Sequence, residues 1–198
     1  MNKLKLDECM LGLIAAGIHA TYALMYQSGK TNDPLSITKE EFLTFYKQRQ
    51  ALPDGMPQDK VSQNYHSARK IPEKLAAVGL TIIPMDDNNP ADTFTDTELE
   101  IISRLEHIRW VKHQIDNGWR YAPLQNTAMK QHDALVAWDE DERKNANKVY
   151  GKRYAQKMGK SEGQILSEYY RNLDRVITRS IPWILEIAGL KMVRLIQK

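Results

Sequence analysis

Two segments of twelve residues in this chain are similar, with six identical positions. Residues 69–80 (RKIPEKLAAVGL) return as residues 179–190 (RSIPWILEIAGL), 110 positions later. A second pair of similar segments lies upstream: residues 11–22 resemble residues 99–110, at an offset of 88. Recurrence at fixed offsets is typical of a duplicated structural unit, and the difference between the offsets places 22 extra residues in the second copy. The sequence therefore predicts a tandem duplication.

The duplication predicts a division of the chain. Residues 1–84 form a degenerate first repeat, residues 85–97 a polar linker, and residues 98–198 a second repeat with an insertion near residues 144–170. We expect the two repeats to pack around a pseudo-two-fold axis. Function is then expected in one repeat or in the cleft that both share.

The composition narrows the classes of partner. At 198 residues and 42% hydrophobic, the chain is long and apolar enough to bury a core. A net charge of +3 without a long block of one sign argues against duplex DNA or RNA as a partner.

The single cysteine, Cys9, excludes an internal disulfide and favours the cytoplasm as the location. The apolar run over residues 10–26 is interpreted as a buried helix and not as a signal peptide or membrane span, because Asp7 and Glu8 precede it and His19 interrupts it.

Local signals predict where one helix starts and ends. Thr95 and Glu98 have the spacing of a capping box, in which each side chain bonds a free backbone amide. Asn117-Gly118 predicts the end of this helix, since glycine adopts the left-handed closing conformation at little cost. Apolar residues recur three and four positions apart between these limits, and we expect them to form the buried face: Leu99, Ile102, Leu105, Ile108, Val111 and Ile115.

Each repeat ends with the same sequence pattern: a proline, a glycine and a short β-prone segment. Pro72 and Pro182 are expected in the first turn of a helix, where the missing amide hydrogen costs little. Each helix is expected to end at a glycine, Gly79 or Gly189, and to be followed by a short β-prone tail. The chain as a whole is thus predicted to be mainly α with a few short β-strands.

Candidate binding residues are densest between residues 106 and 138. Three of the four tryptophans lie there, together with histidines and cationic side chains. Flat aromatic surfaces beside cationic and imidazole donors are suited to binding a planar, charged molecule. The candidates are, in chain order, His107, Arg109, Trp110, Trp119, Arg120, Tyr121, Lys130 and His132.

The spacing of several of these residues is shared with a known family. The shared positions are His107, Trp110, Gly118, Trp119, Tyr121, Lys130, His132 and Leu135. In this spacing the chain resembles the RyR repeat of ryanodine receptors and of small bacterial proteins, and residues 179–190 are similar to the end of that repeat. The resemblance covers roughly residues 95–196, and the first repeat only in skeleton. RyR repeats commonly occur in pairs, in agreement with the duplication.

The chain departs from the family pattern in both repeats. Ala122 and Asp133 stand where the family usually has glycine and proline. The first repeat has Tyr22 where Trp110 would be and lacks the Gly-Trp-x-Tyr cluster. Its contribution to a site is therefore left open.

The resemblance implies a ligand-binding or interaction module and not a catalyst. Paired RyR units are associated with adenine-nucleotide binding in the channels, and bacterial members have been suggested as sensors of nucleotide-derived signals. Stacking of a purine on Trp119 or Tyr121 would contribute about 1–3 kcal/mol per base. Arg109, Arg120 or Lys130 would hold phosphate oxygens. A small nucleotide-derived ligand is therefore the expected partner, and no cofactor is expected.

Structural roles compete with binding roles at these positions. His107 and Trp110 are favoured as core residues, because they lie on a helix with apolar neighbours. Trp119 lies just past the helix end, where packing and binding remain equal alternatives. Lys130 and His132 would either bind an anion or tie a loop through hydrogen bonds.

Other functional classes find less support in the sequence. Arg69 and Arg179 are expected to make a structural pairing with Glu106 or a helix end. The acidic residues 139–142 are expected to open a helix, because negative charge complements the amide end of a helix. A metal site is less favoured there, and no set of His and carboxylate residues has metal-binding spacing. The sequence contains no nucleophile elbow, Walker loop or dinucleotide fingerprint, so a non-catalytic protein is predicted.

Two alternatives to ligand binding stay open. One is a module that binds a partner protein, and the other is a purely structural domain that forms a homodimer.

Overall fold

The computed structural model describes residues 4–28, 30, 34–49, 58–86, 91–122, 125–138 and 169–195. These residues form five α-helices: α1 (Glu8–Gln27), α2 (Lys39–Arg49), α3 (Gln58–Ala76), α4 (Asp96–Asp116) and α5 (Tyr169–Ile187). They also form a 3-10 turn, Pro34–Ser36, and four short strands: β1 (Leu80–Pro84), β2 (Arg120–Tyr121), β3 (Gln131–His132) and β4 (Leu190–Arg194). The predicted class, mainly α with a few short β-strands, is confirmed. The acidic residues 139–142 and nearly all of the predicted insertion lie outside the described residues.

The predicted ends of α4 are confirmed. Thr95 Oγ1 accepts from the Glu98 amide at 3.3 Å, and a Glu98 carboxylate oxygen accepts from the Thr95 amide at 2.8 Å. The helix closes at Asn117, and Gly118 follows in the left-handed conformation with φ of 81°. These interactions involve residues within four positions of each other, so the local sequence was sufficient to predict them.

The predicted positions of the two prolines are wrong. Pro72 and Pro182 lie inside α3 and α5, close to their carboxyl ends, and not in a first turn. Each helix begins earlier, because the polar residues before the proline continue the helix. An interior proline removes one backbone hydrogen bond, and both helices end within a few residues of it. The glycine ends are as expected, since Gly79 and Gly189 have φ of 73° and 69°.

The two β-prone tails pair with each other. β1 and β4 form an antiparallel pair in which Ile82 lies opposite Met192. The backbone amide of Met85 donates to the Gly189 carbonyl, and that of Leu195 donates to the Gly79 carbonyl, both at 2.9 Å. Each of these hydrogen bonds is the counterpart of the other at the 110-residue offset. A strand pair related by a perpendicular two-fold axis has this arrangement.

Four helices, α1, α3, α4 and α5, surround the main hydrophobic core, to which α2 adds Phe42. α1 packs against α3 and α5, and α4 packs against the same two helices from the other side. Helix α1 begins 88 residues before α4, which is the offset of the upstream sequence match. By length and composition α1 is apolar enough to cross a membrane, but most of it is buried within this core. The largest fully enclosed side chains are Phe42, Ile14, Ile18, Met25, Ile37, Ile71, Leu75, Leu80, Ile102, Ile177 and Ile181.

The predicted buried face of α4 is wrong at two of its six residues, and three others are only partly buried. Ile102 is fully buried as expected, but Ile108 and Ile115 are 50% and 56% exposed. The side chains that α4 buries are instead mostly polar: Ser103, Glu106, His107 and Gln114. The reason is that α4 faces α3 and α5, and both present polar partners to it. Periodicity of apolar residues does not reveal such partners, because they belong to distant parts of the chain.

Candidate functional site

The end of α4 sets the position of two aromatic residues. His107 and Trp110 lie one turn apart on α4, with their ring centroids 6.0 Å apart. The left-handed Gly118 then reverses the chain, and the Trp119 amide donates to the Gln114 carbonyl at 3.0 Å. Trp119 is thereby held against the carboxyl end of the helix and leads directly into β2. Glycine is needed here because other residues rarely adopt this backbone conformation.

Strand β3 adds a histidine to these rings. β2 and β3 run parallel, with Tyr121 paired to His132. The His132 ring meets Trp110 edge-on at 5.1 Å and lies 6.3 Å from Trp119. On the other side, the His107 ring lies 5.6 Å from Trp138. We refer to these five residues as the aromatic cluster: His107, Trp110, Trp119, His132 and Trp138.

The structure therefore brings together four of the eight predicted site residues: His107, Trp110, Trp119 and His132. Trp138 was not among the predicted binding residues. Its signal in the sequence was that it ends the stretch containing three of the four tryptophans. The guanidinium of Arg171 lies 5.4 Å from the Trp138 ring centroid and donates to the Trp138 carbonyl, so α5 also contributes to the cluster.

His107 occupies the buried end of the cluster. Its Nε2 donates to the Val136 carbonyl at 2.7 Å, and its Nδ1 lies 3.2 Å from an Asp174 carboxylate oxygen. Both ring nitrogens thus have partners, one on the segment after β3 and one on α5. This arrangement fixes the ring and agrees with the structural role favoured for His107.

The other predicted residues around β2 and β3 lie at the surface. Tyr121 is 49% exposed, Arg120 and Lys130 are exposed, and Trp119 is partly exposed. Lys130 has a left-handed backbone, with φ of 50°, and its Nζ donates to the Asn117 carbonyl at 3.0 Å. These four residues, Trp119, Arg120, Tyr121 and Lys130, form a rim with two aromatic rings and two cations.

Arg109 does not face this rim. Its guanidinium donates to both carboxylate oxygens of Glu106, at 2.7 and 3.0 Å, and to Nδ1 of His66 at 3.0 Å. Because arginine can only donate, His66 Nδ1 is the acceptor. Burial and the adjacent Arg109 charge lower the pKa of His66, whose ring stacks on His113 at 4.7 Å.

Glu106 is the centre of a buried ionic network between α3 and α4. Besides Arg109, its carboxylate accepts from Lys74 Nζ at 2.6 Å and from Ser67 Oγ at 3.0 Å. Burial alone would raise the pKa of Glu106, but the charges of Lys74 and Arg109 outweigh it and hold that pKa at about 2. Burial also lowers the pKa of Lys74. Sequence reasoning missed Lys74 and Ser67, because residues of another helix give no local signal.

The pairing expected for the two repeated arginines is wrong with respect to Glu106. Arg69 lies 3.5 Å from Glu8 and 5.6 Å from the Tyr65 ring centroid. Arg179 donates to the Leu35 carbonyl and lies over Trp183. Neither arginine is bonded to Glu106, whose cationic partners are Lys74 and Arg109.

Asp133 follows His132 and is buried beside the aromatic cluster. Among the residues that the structure describes, neither of its carboxylate oxygens has a hydrogen-bond donor. Oδ1 lies 3.4 Å from His132 Nδ1, a distance that would suit an ion pair with a protonated ring. That nitrogen, however, accepts from the Ala134 amide at 3.0 Å, so it carries a lone pair in this geometry and not a proton.

Comparisons with known proteins assign no family to this arrangement. No family model, no curated protein and no solved structure matches the chain. Within the described ranges, no group of three or more His, Cys, Asp and Glu side chains is placed to hold a metal ion. The resemblance to the RyR repeat therefore rests on the sequence alone.

Proposed function

We propose that this chain is a non-catalytic tandem pair of RyR-like repeats and that the second repeat binds a small nucleotide-like ligand. The duplication is supported by the helices and strands that lie at the 88- and 110-residue offsets, and by the pairing of Ile82 with Met192. A buried α1 and a single cysteine favour a cytoplasmic location.

The observation that carries the proposal is the composition of the rim. Trp119 and Tyr121 offer partly exposed rings, and His132 packs between the rim and Trp110. Such rings bind a base by stacking, since every base has a flat π-face. Arg120 and Lys130 are exposed beside them and complement a phosphate. Arg109 is already bonded to Glu106, so the phosphate role passes to Arg120 and Lys130.

Two buried groups of the kind that a hydrolase uses, His107 and Ser67, are engaged in structural hydrogen bonds. Both nitrogens of His107 have partners, and the hydroxyl of Ser67 donates to Glu106. A general base must reach the proton that it removes, and a nucleophile must reach its base. Neither buried group is placed to do so, which supports a binding role over catalysis.

The test is calorimetric titration of the full chain with AMP, ADP, ATP, NAD and cyclic nucleotides. Removing a stacking ring by Trp119→Ala or Tyr121→Ala is expected to cost about 1–3 kcal/mol, which is roughly a 5- to 150-fold rise in Kd. Tyr26→Ala, at an exposed tyrosine on α1, is the matched control and is expected to leave Kd unchanged. Binding that is equal in all three variants would contradict the rim as the site.

A protein-interaction module is the second candidate. Ile101, Ile108 and Ile115 are 42–56% exposed and recur every seven residues along the outer face of α4. Exposed apolar residues in a line are typical of a surface that meets a partner helix. Sedimentation of wild type and of Ile108→Asp would test whether this face pairs two copies. A mass that depends on concentration only in wild type would support the candidate, whereas two identical monomers would argue against self-association.

A further inference from the structure

We propose that Asp133 selects the base of the ligand, and that the preferred base is guanine; this inference rests on the nucleotide site proposed above. Asp133 is linked to the rings through His132, whose Nδ1 lies 3.4 Å from Oδ1. The same imidazole contacts Trp110 and lies near Trp119. The carboxylate thus lies against the ring that connects the rim to the buried part of the cluster.

The carboxylate needs two donors. Both of its oxygens are buried, and both lack a hydrogen-bond donor among the described residues. Nδ1 of His132 does not fill this role, because the Ala134 amide already donates to it. A buried polar group without a partner is costly, and native proteins satisfy nearly all such groups. Two unsatisfied oxygens of one carboxylate match a planar ligand that presents two adjacent N–H groups.

Guanine has such an edge. Its N1–H and its 2-amino group point in the same direction and are spaced to donate to the two oxygens of a carboxylate. Hypoxanthine keeps N1–H but lacks the amino group. Adenine presents one amino donor beside a ring nitrogen whose lone pair would face the carboxylate. The expected order of affinity is therefore guanine, hypoxanthine, adenine.

Access to the carboxylate requires a covering side chain to move. Asp133 is 1% exposed, so a base that stacks on the rim reaches it only when a covering side chain is displaced. Trp119 is the tryptophan of the cluster that follows the helix end, immediately before the two-residue strand β2, and it is partly exposed. We expect its fluorescence to change when the base is bound.

The experiment is titration of the full chain with GMP, IMP, AMP and XMP. Bidentate pairing predicts that GMP binds roughly 5- to 150-fold more tightly than AMP, with IMP between them. In Asp133→Asn the side chain presents one acceptor and one donor, which complement N1–H and the 2-oxo group of xanthine. This variant is expected to lose affinity for GMP and to gain affinity for XMP. Asp96→Asn, at an exposed carboxylate at the far end of α4, is the control and should keep the wild-type order.

The outcomes separate this inference from the proposed function. Equal affinities for GMP and AMP in wild type, or an unchanged order in a folded Asp133→Asn, would overturn the role of Asp133 while leaving the nucleotide site intact. Lack of binding by all four nucleotides would contradict the nucleotide site itself. If thermal melting shows that Asp133→Asn does not fold, the order of GMP, IMP and AMP on wild type decides the question.

Discussion

Ile82 lies opposite Met192 in the antiparallel pair of β1 and β4, and the two residues are 110 positions apart, which is the offset of the repeated sequence. Each residue therefore meets its own counterpart. Both are buried, at 5% and 0% exposure, so the pair joins the two parts of the chain through the core.

We expect Ile82→Ala and Met192→Ala each to lower the free energy of unfolding by about 2–5 kcal/mol, because each leaves a cavity in a packed core. The two losses should not be additive, with a coupling of about 0.5–3 kcal/mol, since the residues are direct cross-strand neighbours. Urea denaturation of the single and double variants measures this coupling. Thr81→Ala, at the next position along β1, is the control and should cost less. Purely additive losses would speak against the pairing.

The network around Glu106 makes a second prediction. At the offsets of 88 and 110, Glu106 corresponds to Ile18 and Lys74 to Ile184, so the corresponding buried positions on α1 and α5 are apolar. Glu106→Ile would remove the carboxylate to which the buried Lys74 and Arg109 are both bonded and is expected to cost about 3–5 kcal/mol. Lys74→Ile should cost less, because Glu106 keeps Arg109. Chemical denaturation of both variants checks this order, and a larger loss for Lys74→Ile would reverse our assignment of the central residue.

The stability of the protein is expected to fall in acid because the Glu106 carboxylate becomes protonated. Its pKa of about 2 in the folded protein lies below the usual value of 4.5, so the unfolded chain takes up the proton first as the pH falls. The stabilisation is thus complete above pH 4.5 and is lost between pH 4.5 and 2, amounting to about 3 kcal/mol. The measurement is the free energy of unfolding against pH for wild type and Glu106→Gln. The difference between the two should shrink over this interval, and a constant difference would contradict the prediction.

Gly17 allows α1 to approach α5 closely. A Cβ atom at this position would lie 3.0 Å from Cγ2 of Ile184 and 3.0 Å from Cδ1 of Ile187. Gly17→Ala is therefore expected to destabilise the protein by about 1–3 kcal/mol through overpacking. We expect a lower melting temperature for Gly17→Ala than for wild type. If there were free space at this position, alanine would stabilise the helix and the melting temperature would rise instead. In an Ile184→Ala background the same substitution should cost less.

The candidate site was predictable only in part. The sequence identified His107, Trp110, Trp119 and His132, because their spacing on one helix and past its end is a local pattern. It named Arg109 as one of three candidates for holding a phosphate, whereas the structure bonds Arg109 to Glu106 and His66. It placed Trp138 in the tryptophan-rich stretch but not among the binding residues, and it gave no indication that Asp133 is buried, since both positions depend on how the segment after β3 packs against α4.

By itself, the sequence determined the features that depend on neighbours along the chain. The capping box of Thr95 and Glu98, the glycine end at Gly118 and the β-prone tails were all predicted, because each is set by side chains a few positions apart. Only the tertiary structure decided which face of α4 is buried. Ile108 is exposed and Glu106 enclosed because α3 brings Lys74 and Ser67 to that face, and a buried charge is stable only where such partners surround it.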